Sequence, residues 1–187
     1  MSKLLVVVGV EALDDMHAEG SRHRLHAEQL AAEIVEAIGR HEGPIMVMTA
    51  EWDGPLSRAV VQKALFEGAA TVLFEQGQSG FMLRGQWVSP FSYLAQYCKR
   101  NDVEEADVCG CYTEVESALP AAPPPLGADD EDAPQGTLPF VDSVARWLAS
   151  KGVEARIVEP TSTYVFDLDP EPEPWADIDY DDEGELQ

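Results

Sequence analysis

Short apolar runs separated by longer amphipathic stretches set the pattern of this chain. Lys3 to Val10, KLLVVVGV, is a continuous apolar and β-branched run between polar neighbours. Successive strand residues face opposite ways, so a run that is apolar throughout suits a parallel strand covered on both faces. Pro44 to Ala50, PIMVMTA, has the same character, and Thr71 to Glu75, TVLFE, is a shorter example. Between the first two, Arg24 to Arg40 carries Leu25, Leu30, Ile34, Val35 and Ile38 near helical spacing, and Gly39 to Gly43 with Pro44 closes it. Leu56 to Glu67 is a second helix, stopped by Gly68. Glu11 to Arg22 reads as a polar loop, Trp52 to Pro55 as the loop leaving the second strand, and Gln76 to Val88 as a loop with a hairpin at Arg84-Gly85.

The second half repeats the alternation. Ser89 caps a helix over Pro90 to Arg100: its hydroxyl can accept an orphan N–H, and proline is tolerated at the first helical position. A short acidic turn leads to a buried strand, Asp107 to Tyr112, whose end reads Cys109-Gly110-Cys111-Tyr112-Thr113-Glu114. Residues 118–138 contain LPAAPPPLGADDEDAPQGT and have no periodicity, which predicts a mobile insertion. Phe140, Val141, Val144, Trp147 and Leu148 mark a helix to Lys151, with Gly152 at the left-handed cap. Val153 to Val158 is the last strand, and Thr163 to Phe166 could add a short edge. Residues 167–187 mix dense acidic charge with proline, which predicts a disordered tail. The order of elements predicts one α/β domain over residues 1–166, a three-layer sandwich around a mainly parallel sheet of five or six strands. In such a sheet ligands meet the crevice beyond the carboxyl ends of the strands. The end of the Asp107 strand is therefore where chemistry is expected.

Charge narrows the classes of partner. The chain has 35 acidic and 12 basic residues, a formal net charge of −23. Nucleic-acid binding by counterion release needs lysine and arginine, so direct DNA or RNA binding is not expected, and anionic membrane surfaces are disfavoured for the same reason. A basic protein, metal cations or a salt-rich cytoplasm suit this balance better. No apolar run reaches the ~20 residues that cross a bilayer. The N-terminus resembles no signal peptide, so a cytoplasmic protein is expected. The three cysteines, Cys98, Cys109 and Cys111, are expected as reduced thiols.

Three passages resemble the isochorismatase-like family of cysteine hydrolases, which includes the nicotinamidases. KLLVVVGVEALDD is similar to that family's first strand, WVSPFSYLAQYCKRNDVEEADVCGCYTEV to its helix and fourth strand, and ARWLASKGVEARIVEPTS to its next helix and strand. The resemblance spans most of Lys3 to Ser162 and implies an isochorismatase-like fold. It also implies a catalytic Asp after the first strand, a Lys in the middle of the chain and a nucleophilic Cys after the fourth strand. Here the Asp position falls on Gly9, the Lys position near Arg84 or Gly85, and the Cys position on Glu116 or Phe140. None of these supplies the family's thiol attack, which implies a fold kept and a reaction lost: a non-catalytic protein acting by protein binding or self-assembly. Homo-oligomers, common in that family, are implied too.

Other readings stay open. A rebuilt amide- or ester-type hydrolase would use Cys111 as a displaced nucleophile with Glu11 and Arg84. Glu114 and Glu116 could join Glu11 and Arg84 in holding a polar ligand, and Trp52 and Asp53 lie at the end of the second strand as binding candidates. The Cys109-Gly110-Cys111 pair and the His17, His23, His26 group with Asp15 or Glu19 have metal-ligand residue types, yet neither has the spacing of a complete ligand set, so neither a metal nor a cofactor is expected. The acidic tail could dock on a basic partner, or occupy a basic surface by charge mimicry.

Overall fold

In the computed structural model, placement is described for residues 2–50, 52–73, 81–83, 86–111 and 141–162. The central strand is β1 (Ser2–Val8), followed by a short helix α1 (Ala12–His17), helix α2 (Arg24–Arg40), strand β2 (Ile45–Thr49), helix α3 (Pro55–Phe66) and strand β3 (Ala70–Leu73). Strands β4 (Phe81–Leu83) and β5 (Gln86–Val88) precede helix α4 (Pro90–Arg100), strand β6 (Val103–Cys111), helix α5 (Val141–Ser150) and strand β7 (Glu154–Ser162).

Five strands form one sheet in the order β3-β2-β1-β6-β7, and every pairing in it is parallel. The apolar runs explain its thickness. Leu4, Val6 and Val8 of β1 lie in one buried cluster with Met46 and Met48 of β2, Phe91 and Leu94 of α4, and Val144, Trp147 and Leu148 of α5. The alternate residues Leu5 and Val7 lie in a second cluster with Ile45 and Val47, Leu13 and Met16 of α1, Ile34 and Ile38 of α2, and Val60 and Val61 of α3. Each fully buried aliphatic side chain contributes about 1.5–3 kcal/mol relative to an exposed one. That makes the two-sided burial of β1 the chief reason this strand takes the centre.

Several local expectations hold in detail. The Ser89 hydroxyl accepts the Ser92 N–H at 3.0 Å, and the α4 helix starts on proline as expected. Gly152 takes φ +85° after α5, and β4 pairs with β5 antiparallel, as the expected hairpin requires. The Trp147 indole N–H donates to the Phe91 carbonyl at 3.1 Å, and the two rings meet edge to face with centroids 5.8 Å apart, which locks α5 on α4.

Other expectations need correction. The segment from Glu11 to Arg22 is not loop throughout, because α1 occupies six of its residues with Leu13 and Met16 buried. One apolar residue per turn is a thin signal, and only the neighbouring α2 and α3 give that face something to cover. Leu25 is 78% exposed and belongs to the solvent side of α2, not its core stripe. Strand β6 begins at Val103, so the acidic Glu104 and Glu105 are strand residues with exposed side chains and not a turn. The main sheet is wholly parallel with five strands, since the antiparallel pair stands apart as a second sheet. The insertion at 118–138, an edge at Thr163 to Phe166 and the tail at 167–187 lie outside the described residues.

Strand β7 is an edge, and four of its nine residues are exposed. Asp107 ties it to the sheet by accepting from Arg156 Nε at 2.7 Å and pairing with Lys3 Nζ at 2.7 Å. Burial would raise that carboxyl, but the Arg156 and Lys3 hydrogen bonds and charges hold it below the usual carboxylate range.

Candidate functional site

The sheet order puts a topological switch at its centre. From β1 the chain moves outward through β2 and β3, then returns to the other flank of β1 for β6 and β7. Connections leaving β1 and β6 in opposite directions open a crevice beyond their carboxyl ends. Two glycines shape this edge. Gly9 leaves β1 with φ +69°, and its N–H donates to the Met48 carbonyl at 2.9 Å. Gly110 sits in β6 with φ +122°, and a Cβ added there would lie 2.1 Å from the Val8 carbonyl oxygen. The β6–β7 register also shifts between Val108 and Gly110, an irregularity of the kind that re-aims strand ends beside functional sites.

Glu11 occupies the crevice rim with its carboxyl turned inward. The hydroxyl of the fully buried Thr49, last residue of β2, donates to Glu11 Oε2 at 2.7 Å. Burial pushes the Glu11 carboxyl up; the bonds from Thr49 and from the backbone N–H groups of Glu11 and Ala50 oppose this, and the charge of Asp15 adds to the rise. The net direction is upward, towards a carboxyl that gains or loses a proton closer to neutrality. A raised folded-state value favours folding below the unfolded value and loses that advantage as pH rises through the folded value. Glu11→Gln removes the titration, so its melting temperature relative to wild type should climb between pH 4 and pH 8. Thermal unfolding at both pH values measures this, and a difference that is flat or falls with pH would refute it.

Asp14 joins the exit of β1 to the next helix. Its Oδ1 accepts the Leu56 N–H at 2.9 Å and its Oδ2 the Ser57 N–H at 3.3 Å, which caps α3 from another element. Gly54 makes room for this, because a Cβ there would fall 2.1 Å from the Asp14 carboxyl carbon. The loop so held carries Trp52, half-buried against the α1–α3 cluster, and the exposed Asp53. Arg58, on the first turn of α3, donates from Nη2 to the Asp53 carbonyl at 2.5 Å. Ala50, Trp52, Asp53 and Arg58 line an open cleft of about 440 Å³.

The remaining candidates separate. Cys109 and Cys111 point to the same side of β6, as strand alternation requires, and both are fully buried in the α1–α3 cluster. Burial pushes the Cys109 thiol up to about 12 and the Cys111 thiol further up, with the Glu11 charge adding to the latter. Cys98 is buried on the opposite face with its thiol at about 11 for the same first reason. The three histidines do not converge: His17 Nε2 lies 2.9 Å from Glu28 Oε1, Arg22 Nε donates to His23 Nε2 at 3.3 Å, and His26 Nε2 lies 3.1 Å from Ser162 Oγ. Among the described residues no cluster of three or more His, Cys, Asp or Glu could hold a metal ion. Arg84, Glu114 and Glu116 lie outside the described residues, as does Phe140.

Thr49, Asp14 and Arg58 went unnoticed in the sequence. Thr49 is the lone hydroxyl inside an apolar strand run, which is a usable signal. Asp14 and Arg58 look like any charged helix residue, and only their partners across the fold distinguish them.

Fold and site together define the class: a parallel α/β protein with a crevice at the carboxyl ends of its central strands. Compared with known proteins, the chain matches no family model, no curated protein and no solved structure. Among the described residues no helix is long and apolar enough to cross a membrane.

Proposed function

We propose that this chain is a divergent isochorismatase-fold protein that has lost the family's thiol reaction and acts by binding other protein chains, either copies of itself or a basic partner. One observation carries the reading: the crevice lacks an available thiolate. Gly9 stands where the resemblance places the catalytic Asp, and it offers no side chain to move a proton. Cys111, the cysteine nearest the crevice, is fully enclosed with its thiol pushed up, whereas reactive cysteines are partly exposed and have lowered values. The all-parallel sheet with its central switch is compatible with the implied fold. The net charge of −23 favours a basic partner, and residues 167–187 concentrate much of the acidic charge. Charge mimicry of a polyanion would be a special case of the same docking.

Glu11 favours a second reading. A carboxyl raised by burial at the switch point is what a general acid or base needs, so a rebuilt hydrolase using Glu11 remains the competing proposal.

Thiol labelling of the folded protein across pH 5 to 9 tests the choice. Slow labelling of all three cysteines until denaturant is added is the expected result. One thiol labelling rapidly with an apparent value well below about 8.5 would overturn the non-catalytic reading. Light scattering and pull-down with and without residues 167–187 test binding itself. A partner complex weakened by salt and lost with the tail supports docking, and a protein monomeric at every concentration with no partner sinks it.

A further inference from the structure

The cleft beside the second strand holds two charges that the fold leaves apart. Arg58 and Asp53 are five positions apart around the start of α3, close enough for an ion pair. Yet Arg58 bonds the Asp53 backbone carbonyl and not its carboxylate. Among the described residues neither the Arg58 guanidinium nor the Asp53 carboxylate has an ion-pair partner, and both line the cleft. The carbonyl bond orients the guanidinium and uses only part of its fork of five donors. Trp52 lines the same cleft, partly buried against the core cluster with its remaining surface facing the cleft. Asp14 holds the helix end of this loop by capping α3 across the Gly54 gap. The volume of about 440 Å³ falls within the roughly 300–1,000 Å³ of small-ligand sites.

We propose that this cleft binds a small zwitterion with a flat apolar body, the class of an aromatic α-amino acid, through Arg58, Asp53 and Trp52. The ligand's carboxylate would meet the Arg58 fork, its ammonium the Asp53 carboxylate, and its ring the Trp52 face. The overall charge of the protein selects among alternatives. At −23 the molecule repels a simple anion, and Arg58 repels a simple cation locally. A dipolar ligand meets neither penalty and satisfies both charges at once. The inference is independent of whether the protein also binds other chains.

Phenylalanine is the probe, and the full-length ¹⁵N-labelled protein is titrated while the indole N–H signal of Trp52, assigned by its loss in Trp52→Phe, is followed. The expected result is a saturable shift with a Kd on the order of 1 mM, as a ligand of this size allows, while the Trp147 signal stays in place. Arg58→Gln and Asp53→Asn should each weaken binding about tenfold, and phenylacetate and phenethylamine, which keep one charge each, should be weaker by a similar factor. Both substituted side chains are exposed, and circular dichroism checks that the fold survives. No saturable shift would overturn the proposal. So would equal binding by phenylacetate, or weakening by only one of the two substitutions.

Discussion

Gly110→Ala is expected to destabilise the protein by about 2–6 kcal/mol, read as a lowered urea midpoint. Two penalties combine. Gly110 holds φ +122°, where a side chain costs about 1–3 kcal/mol in strain. The added Cβ would also meet Val8 backbone atoms at 2.1, 2.8 and 3.0 Å. Backbone in a central strand cannot swing aside as a flexible side chain can, so β1 and β6 must part, and overpacking of that kind adds about 1–3 kcal/mol. Gly152→Ala is the control: it shares a positive φ, +85°, yet nothing lies within 4 Å of its added Cβ. It should cost only about 1–2 kcal/mol, the left-handed penalty alone. Equal midpoints for the two variants would mean that the close approach of β1 and β6 is wrong. Because this approach forms the floor of the crevice, the same comparison tests the geometry on which the site depends.

Trp147→Ala is expected to cost about 3–5 kcal/mol. The side chain is 6% exposed, fills the space between α5 and α4 against Phe91, and donates to the Phe91 carbonyl. Its outer face also carries Lys151 Nζ 4.1 Å above the ring. Trp147→Phe keeps an aromatic body and loses the indole donor and part of the volume, so its cost should be about 1–2 kcal/mol. The order Ala well below Phe below wild type, from urea unfolding with unchanged slope, supports the packing described. Near-equal midpoints for Ala and Phe would show that ring packing contributes little and that the link between α4 and α5 lies elsewhere.

Much of the architecture was legible because it rests on local periodicity. The apolar runs at Lys3 to Val10 and Pro44 to Ala50 fall on β1 and β2, and the helix bounds at 24–40 and 90–100 agree with α2 and α4. A strand that must bury both faces leaves no polar position within it, and a helix start marked by serine and proline has a local hydrogen-bonding reason. Reading failed where burial is decided by neighbours. Leu25 fits the helical spacing and faces solvent, while Leu13 and Met16 sit in a polar stretch and are covered because α2 and α3 come to them.

The same division applies to the site. Residue types and their order were enough to expect an α/β sheet, a functional edge beyond β6 and the candidates Glu11, Cys111, Trp52 and Asp53. Their states depended on distant partners. Glu11 is raised because the folded chain buries it, against the opposing hydrogen bond from Thr49, 38 positions away, and Asp14 caps a helix 42 positions along. Among the described residues Arg58 bonds a carbonyl in place of a carboxylate. Periodicity along a chain records which residues avoid water. Which groups meet inside, and hence how each is charged, is decided only when the strands have taken their order in the sheet.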